Sequence, residues 1–240
     1  MTWARRIWEE KASDYWHDLL AEPVRLRAEA PAFADSGGAA WSFADLSRAV
    51  EDVASHLKAS GVQPRDRVMV LSENCCAAVA AMLGASTVGA IAVPVNARMS
   101  AGEVDRILTH ARPATTLFTS AISSEAAAHA ARMEASEITG SFGSLHIVAS
   151  YPSNPDAPAE VAVLLYTTGT TGDPKGVMLT HGNVLFGGKS SAELRDMGPG
   201  DIIYGVLPLT HVFGLASVMT AALFAGAAVR LEARFSAAKL

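Results

Sequence analysis

Residues Tyr166 to Gly176 read Tyr-Thr-Thr-Gly-Thr-Thr-Gly-Asp-Pro-Lys-Gly, and they follow directly on the apolar run Val161-Ala-Val-Leu-Leu-Tyr166. Eleven residues hold three glycines, four threonines and one lysine. Glycine lets a backbone bend until successive N–H groups converge on one anion. The hydroxyls of Thr167, Thr168, Thr170 and Thr171 add donors, and Lys175 adds a mobile positive charge. That inventory suits a polyphosphate. The plain alternative is a glycine-rich turn with solvated threonines, and the density of donors beside a lysine argues against it. The spacing G-x-x-x-x-G-K-[ST] of Walker-type kinases and GTPases is not met, because Pro174 precedes Lys175 and Gly176 follows it.

Working outward, strands and helices alternate. Upstream, Val68–Leu71, Ala90–Val95, Thr115–Thr119 and Leu145–Ala149 read as strands. Between them, Cys75–Val88, a helix opened by the capping box Ser100/Glu103, and the Ala-rich Ser123–Ala135 read as helices. Nearer the start, Trp3, Ile7, Trp8, Ala12, Tyr15, Trp16 and Leu19 recur at helical spacing, with Pro23 expected just beyond that helix. Ser36-Gly37-Gly38 is a hairpin turn, and Ser42 caps a helix carrying Leu46, Val50, Val53 and Leu57, closed by Gly61. Downstream come a strand Gly176–Thr180, a helix from about Gly182 to Arg195, a strand Ile202–Leu207, a helix from about His211 to Ala225, and a strand Ala227–Leu231. This alternation predicts an α/β fold of mostly parallel sheets covered by helices on both faces. Tyr151–Glu160, with three prolines and no apolar period, is the expected linker. It separates a first α/β subdomain (1–150, with the N-terminal helix) from the portion that carries the Thr/Gly loop (161–240).

Composition bounds the function. The 240 residues carry 19 Lys plus Arg against 24 Asp plus Glu, a net charge of −5, and half of them are hydrophobic. A mildly acidic chain without a basic block lacks the footprint of a nucleic-acid binder. The uncharged stretches Asn74–Ala97 and Ile202–Val229 are long enough to span a bilayer, but Gly, Pro and polar residues break each into a helix and a strand, so no membrane span is expected. Glu9 and Glu10 soon after Arg5 and Arg6 do not make a signal peptide. Cys75 and Cys76 sit side by side and cannot staple a loop, which fits a reducing, cytoplasmic setting. Their apolar surroundings favour inert packing. His181 and His211 have no metal-ligand spacing, so no protein-bound metal is expected.

The Tyr166–Gly176 string, followed by Val177-Met-Leu-Thr-His-Gly-Asn183, resembles the signature of the adenylate-forming superfamily: acyl- and aryl-CoA synthetases, luciferases and peptide-synthetase adenylation domains. Leu71-Ser-Glu-Asn74 through Ala90–Asn96 and Pro208-Leu-Thr-His-Val-Phe-Gly214 are similar to two further segments of that family. Thr168 stands where many members have serine. The resemblance implies that a carboxylic acid attacks the α-phosphorus of ATP and that a thiol, usually of CoA, then displaces AMP. It assigns Thr167, Thr168, Gly169, Thr170, Thr171, Gly172 and Lys175 to the departing phosphates, with Mg²⁺ held through ATP. It places His211 near the reacting carboxylate, with Phe213 and Leu215 either lining the acyl pocket or packing in the core. His181 is expected in a local turn or capping role.

The departure from the family is absence. The aromatic-Gly-x-Thr-Glu motif, the ribose aspartate and the second, adenylating lysine are not found before Leu240. The chain is therefore expected to be a fragment or a shortened protein, inactive alone, that exposes apolar faces and dimerises or aggregates through them. A non-catalytic phosphate-holding module and an amino-acid adenylation domain are the alternatives to a CoA ligase. Fatty, aryl and short-chain acids all stay open.

Overall fold

The computed structural model describes residues 14–168 and 174–234. Trp3, Ile7, Trp8 and Ala12 lie outside them. Within them a 3₁₀ turn, Trp16–Leu20, buries Trp16 and Leu19 and runs into α1 (Ala21–Arg27). Pro23 is thus inside a helix and not beyond it. It occupies the first turn of α1, where a missing N–H breaks no helical bond.

β1 (Pro31–Asp35) and β2 (Ala40–Ser42) form the expected hairpin, and Asp35 Oδ1 accepts the Gly37 and Ala39 N–H groups in its turn. Ser42 caps α2 (Phe43–Ala59), accepting the Asp45 N–H at 3.1 Å. Then follow β3 (Arg67–Ser72), α3 (Cys76–Thr87), β4 (Ile91–Asn96), α4 (Ala101–Ala111), β5 (Thr115–Phe118), α5 (Ser124–Arg132), β6 (Ser136–Gly140) and β7 (Gly143–Ala149). Residues 151–160 carry no strand or helix. β8 (Val161–Thr168), β9 (Pro174–Thr180), α6 (His181–Leu194) and β10 (Ile202–Gly205) come next. A helix over 212–225, here α7, leads to β11 (Ala228–Leu231).

Two sheets result. The larger has the order β6-β7-β5-β3-β4-β8-β9: β5, β3, β4 and β8 are parallel neighbours, and an antiparallel pairing closes each end. The smaller has the order β10-β11-β1-β2, parallel except for the β1–β2 hairpin. Both contain strands from either side of residues 151–160: β8 extends the sheet of β4, and β11 pairs with β1. α3 is buried along nearly its whole length, from Cys76 to Ser86. A helix apolar on all sides belongs inside a core. Gly84 lets it cross α2 closely, since a Cβ there would lie 2.6 Å from Val53 Cγ1. Among the described residues no helix is long and apolar enough to cross a membrane. β6 was not expected from the sequence, because Ile138 is its only sizeable apolar residue. It forms as the hairpin partner of β7, around a turn where Gly143 has φ +83°.

Candidate active site

The β8–β9 hairpin presents the first group of candidate residues. Its apolar stem is held by the parallel bridge Ala92↔Val163 and ends in the pairs Tyr166↔Gly176, Thr167↔Lys175 and Thr168↔Pro174. Thr167 and Lys175 thereby face each other across the two strands, and both are exposed. Gly169, Thr170, Thr171 and Gly172 lie outside the described residues. Proline is tolerated at the start of β9, which is an edge strand.

The stem is fixed from two sides. Tyr166, half-buried, reaches α4, where its hydroxyl and His110 Nδ1 share a 2.6 Å hydrogen bond. Burial pushes the phenol pKa up to about 12, so it stays a protonated donor at neutral pH. At the far end of β9, Thr180 Oγ1 accepts the Asn183 N–H and Asn183 Oδ1 accepts the Thr180 N–H, both at 3.1 Å. This capping box explains why Thr-His-Gly-Asn follows the strand: it turns β9 straight into α6. His181 has a capping role at long range instead of a local one. Its Nδ1 accepts the backbone N–H of Trp16 at 3.0 Å, and burial pulls its pKa down.

The second group lies on Pro208–Gly214. His211 is exposed and caps α7, its Nδ1 accepting the Phe213 N–H at 3.2 Å. Phe213 is 59% exposed, whereas Leu215 is wholly buried, so the structure separates two side chains that sequence could not. Asn74 holds the segment in place. It is buried, donates to the Gly205 and Leu207 carbonyls at 3.1 and 2.9 Å, and accepts the Leu209 N–H at 2.9 Å. Gly214 closes the turn so tightly that a Cβ would sit 2.1 Å from the Pro208 carbonyl oxygen. α7 then passes through a π-helical stretch, Leu215–Thr220, in which Thr220 Oγ1 donates to the Leu215 carbonyl. Such stretches concentrate at functional sites.

The two groups belong to one packed unit. α6, which continues β9, crosses α7 where Gly188 meets Thr220, and a Cβ on Gly188 would lie 2.4 Å from Thr220 Cγ2. A groove of about 550 Å³ on the smaller sheet, lined by Phe33, Trp41, Ile202 and Val229 among others, contains neither Lys175, His211 nor Phe213.

Sequence reading also missed an ionic cluster beyond the C-terminal ends of β3, β4 and β11. The Glu73 carboxylate is buried between Arg98 at 3.4 Å and Arg234 at 3.2 Å, and Arg234 also reaches Glu125 at 2.6 Å. The only signal was a lone glutamate entering a long apolar stretch. Burial pushes the Cys75 thiol up to about 12 and raises Cys76 as well, so both are inert. Among the described residues no group of three or more His, Cys, Asp or Glu side chains converges on a metal position.

An α/β fold with a donor-rich hairpin at the edge of a mixed sheet is the framework of an adenylate-forming enzyme's N-terminal domain. The chain belongs to the AMP-binding enzyme family, whose profile matches residues 20–240. Feruloyl-CoA synthase of Amycolatopsis sp is 33% identical over 206 residues, covering 83% of this chain and 40% of that enzyme. Indoleacetate–CoA ligase of Aromatoleum aromaticum is 31% identical over 208 residues, covering 82% and 41%. Among solved structures, ATP-bound MatB from Rhodopseudomonas palustris superposes with a TM-score of 0.73 at 26% identity, over 93% of this chain and 46% of that one. The inhibitor-bound N-terminal domain of FACL13 from Mycobacterium tuberculosis has the same fold, with a TM-score of 0.75 at 24% identity, over 94% and 58%. The chain thus spans about 40% of the length of the curated relatives it matches.

Proposed function

We propose that this chain supplies the phosphate-gripping half of an AMP-forming acid–CoA ligase. The observation that carries the reading is the hairpin that sets exposed Thr167 opposite exposed Lys175. In the proposed reaction a carboxylate oxygen attacks the α-phosphorus of ATP, the bond from that phosphorus to the bridging oxygen breaks, and pyrophosphate leaves. The CoA sulfur then attacks the acyl carbon and AMP departs. An anion meeting a tetra-anion makes charge neutralisation the main demand on the protein. Lys175, the hydroxyls of Thr167 and Thr168 and the Gly169–Gly172 backbone meet it at the departing pyrophosphate, and Mg²⁺ brought with ATP would add further charge neutralisation there.

His211 and Phe213 border the acid. Both are exposed at the head of α7, open to a substrate or to further protein. The relatives' names favour aryl acids over fatty acids, since feruloyl, coumarate, indoleacetate and 3-hydroxybenzoate enzymes all match at similar identity. Buried free thiols fit the cytoplasm. A second reading rests on the 40% span: by itself the 240-residue chain holds phosphate without adenylating.

The test has two arms. Binding of inorganic pyrophosphate with magnesium to the 240-residue chain should weaken at least tenfold in Lys175→Ala, as expected for a charge-assisted contact. Acid-dependent ATP–pyrophosphate exchange should be absent from this chain and present in one of the relatives' length that carries these residues. Exchange by the 240-residue chain would overturn the second reading, and loss of no affinity in Lys175→Ala the first.

A further inference from the structure

We propose that His110 is a positioning residue for Lys175, acting through the ring of Tyr166; the inference rests on the pyrophosphate reading of the hairpin. α4 is a rigid platform. Ser100 and Glu103 cap its start, and Val104, Ile107, Leu108 and Ala111 bury one face. His110 stands in its last turn with an exposed side chain, outside that buried stripe. Among the described residues its hydrogen bond and its ring contact both go to the hairpin. The imidazole meets the Tyr166 phenol edge-on, with ring centroids 5.6 Å apart and planes at 89°, and Nδ1 shares the 2.6 Å hydrogen bond with the hydroxyl.

That bond sets where the phenol ring lies, and the ring sets the course of β9. Tyr166 pairs with Gly176, and the ring covers the glycine: a Cβ there would be 2.9 Å from Leu164 Cδ1 and 3.3 Å from Tyr166 Cζ. Gly176 is the residue after Lys175. The one glycine of β9 is therefore the position over which the tyrosine lies, and the lysine follows from the backbone so fixed. Thr167, next to Tyr166, is brought opposite Lys175 by the same register. His110 touches no reacting group. It holds the geometry in which one can be gripped.

The experiment uses the 240-residue chain, inorganic pyrophosphate with magnesium, and hydrogen exchange of the β8 and β9 amides. His110→Ala and Tyr166→Phe should each weaken pyrophosphate binding about tenfold, the scale of one lost hydrogen bond, and speed exchange at Lys175–Val177. His110→Gln, whose amide can still meet the phenol, should return both readouts to within about twofold of wild type. The thermal midpoint of His110→Ala should move little, because the imidazole is exposed. Unchanged exchange and affinity in His110→Ala would overturn the proposal, as would faster exchange with unchanged affinity, or failure of His110→Gln to restore either. A wild-type chain that binds no pyrophosphate would instead bring down the hairpin reading itself. Weakening by Lys175→Ala alone would leave that reading standing and remove only the role of His110.

Discussion

At the residue scale, the most informative side chain is one whose chemistry is wholly internal. Asn74 spends both amide hydrogens and its carbonyl oxygen on the backbone of Gly205, Leu207 and Leu209. Buried, these groups find no water if the side chain is removed, and each orphaned group costs about 1–3 kcal/mol. Asn74→Ala should therefore destabilise the chain by about 3 kcal/mol, whereas Asn74→Asp, which keeps the acceptor and loses the donors, adds a buried negative charge and should be no milder. Urea unfolding curves measure both. A loss under about 0.5 kcal/mol for either would mean the clamp is not formed. The sequence string Leu71-Ser-Glu-Asn74 gave a family resemblance but no sign of this clamp, since the partners lie more than 130 positions away. The Thr/Gly/Lys string was legible for the opposite reason: its donors are contiguous, so their chemistry can be counted without a fold.

At the element scale, local signals were legible wherever the physics is local. The capping boxes at Ser42 and Ser100 and the stripes of α2 and α4 lie within four residues of their partners. β6 and the π-helical stretch of α7 were not legible, because one is made by a neighbouring strand and the other by Thr220 reaching back to Leu215. The docking of the 3₁₀ turn is equally long-range. It hangs on Trp16, whose backbone N–H is accepted by His181 Nδ1 and whose indole N–H donates to Thr220 Oγ1. Accepting at Nδ1 requires a neutral imidazole. His181 has its pKa lowered by burial first and by His17 second, against a smaller opposing pull from Asp18; His17 is itself lowered by burial. A folded pKa below the unfolded value of 6.5 means that the unfolded chain binds the extra proton. The stabilisation is then complete above about pH 6.5 and lost as pH falls below it toward the folded pKa. Urea midpoints should drop between pH 7.5 and pH 5.5, and the drop should shrink in His181→Gln. An equal pH dependence in the two proteins would show that the pair does not carry it.

At the scale of the whole molecule, the alternation of elements was enough to give the α/β class, because helices of that spacing force parallel neighbours. It could not give the pairing of Phe33 with Val229, which brings the first strand beside the last and seats both sheets on one core. That arrangement leaves β10 as an open edge. Among the described residues its only strand neighbour is β11, and Ile202 is 76% exposed with Tyr204 two residues on at 37%. Its four residues carry no Pro, Lys or bulge, so shortness is the one usual guard against edge-to-edge pairing that it has. Leu194 at 89% and Phe186 at 71% add apolar surface on α6. The 240-residue chain should therefore self-associate as its concentration rises, and Ile202→Lys should push the midpoint of that association up by at least about tenfold, since a charge on a pairing edge must be desolvated or splayed apart. Leu194→Lys, on a helix with no strand edge to offer, should have the smaller effect. Sedimentation velocity across a concentration series distinguishes the two. A monodisperse monomer for the unmodified chain, or a larger effect from Leu194→Lys, would move the association away from β10.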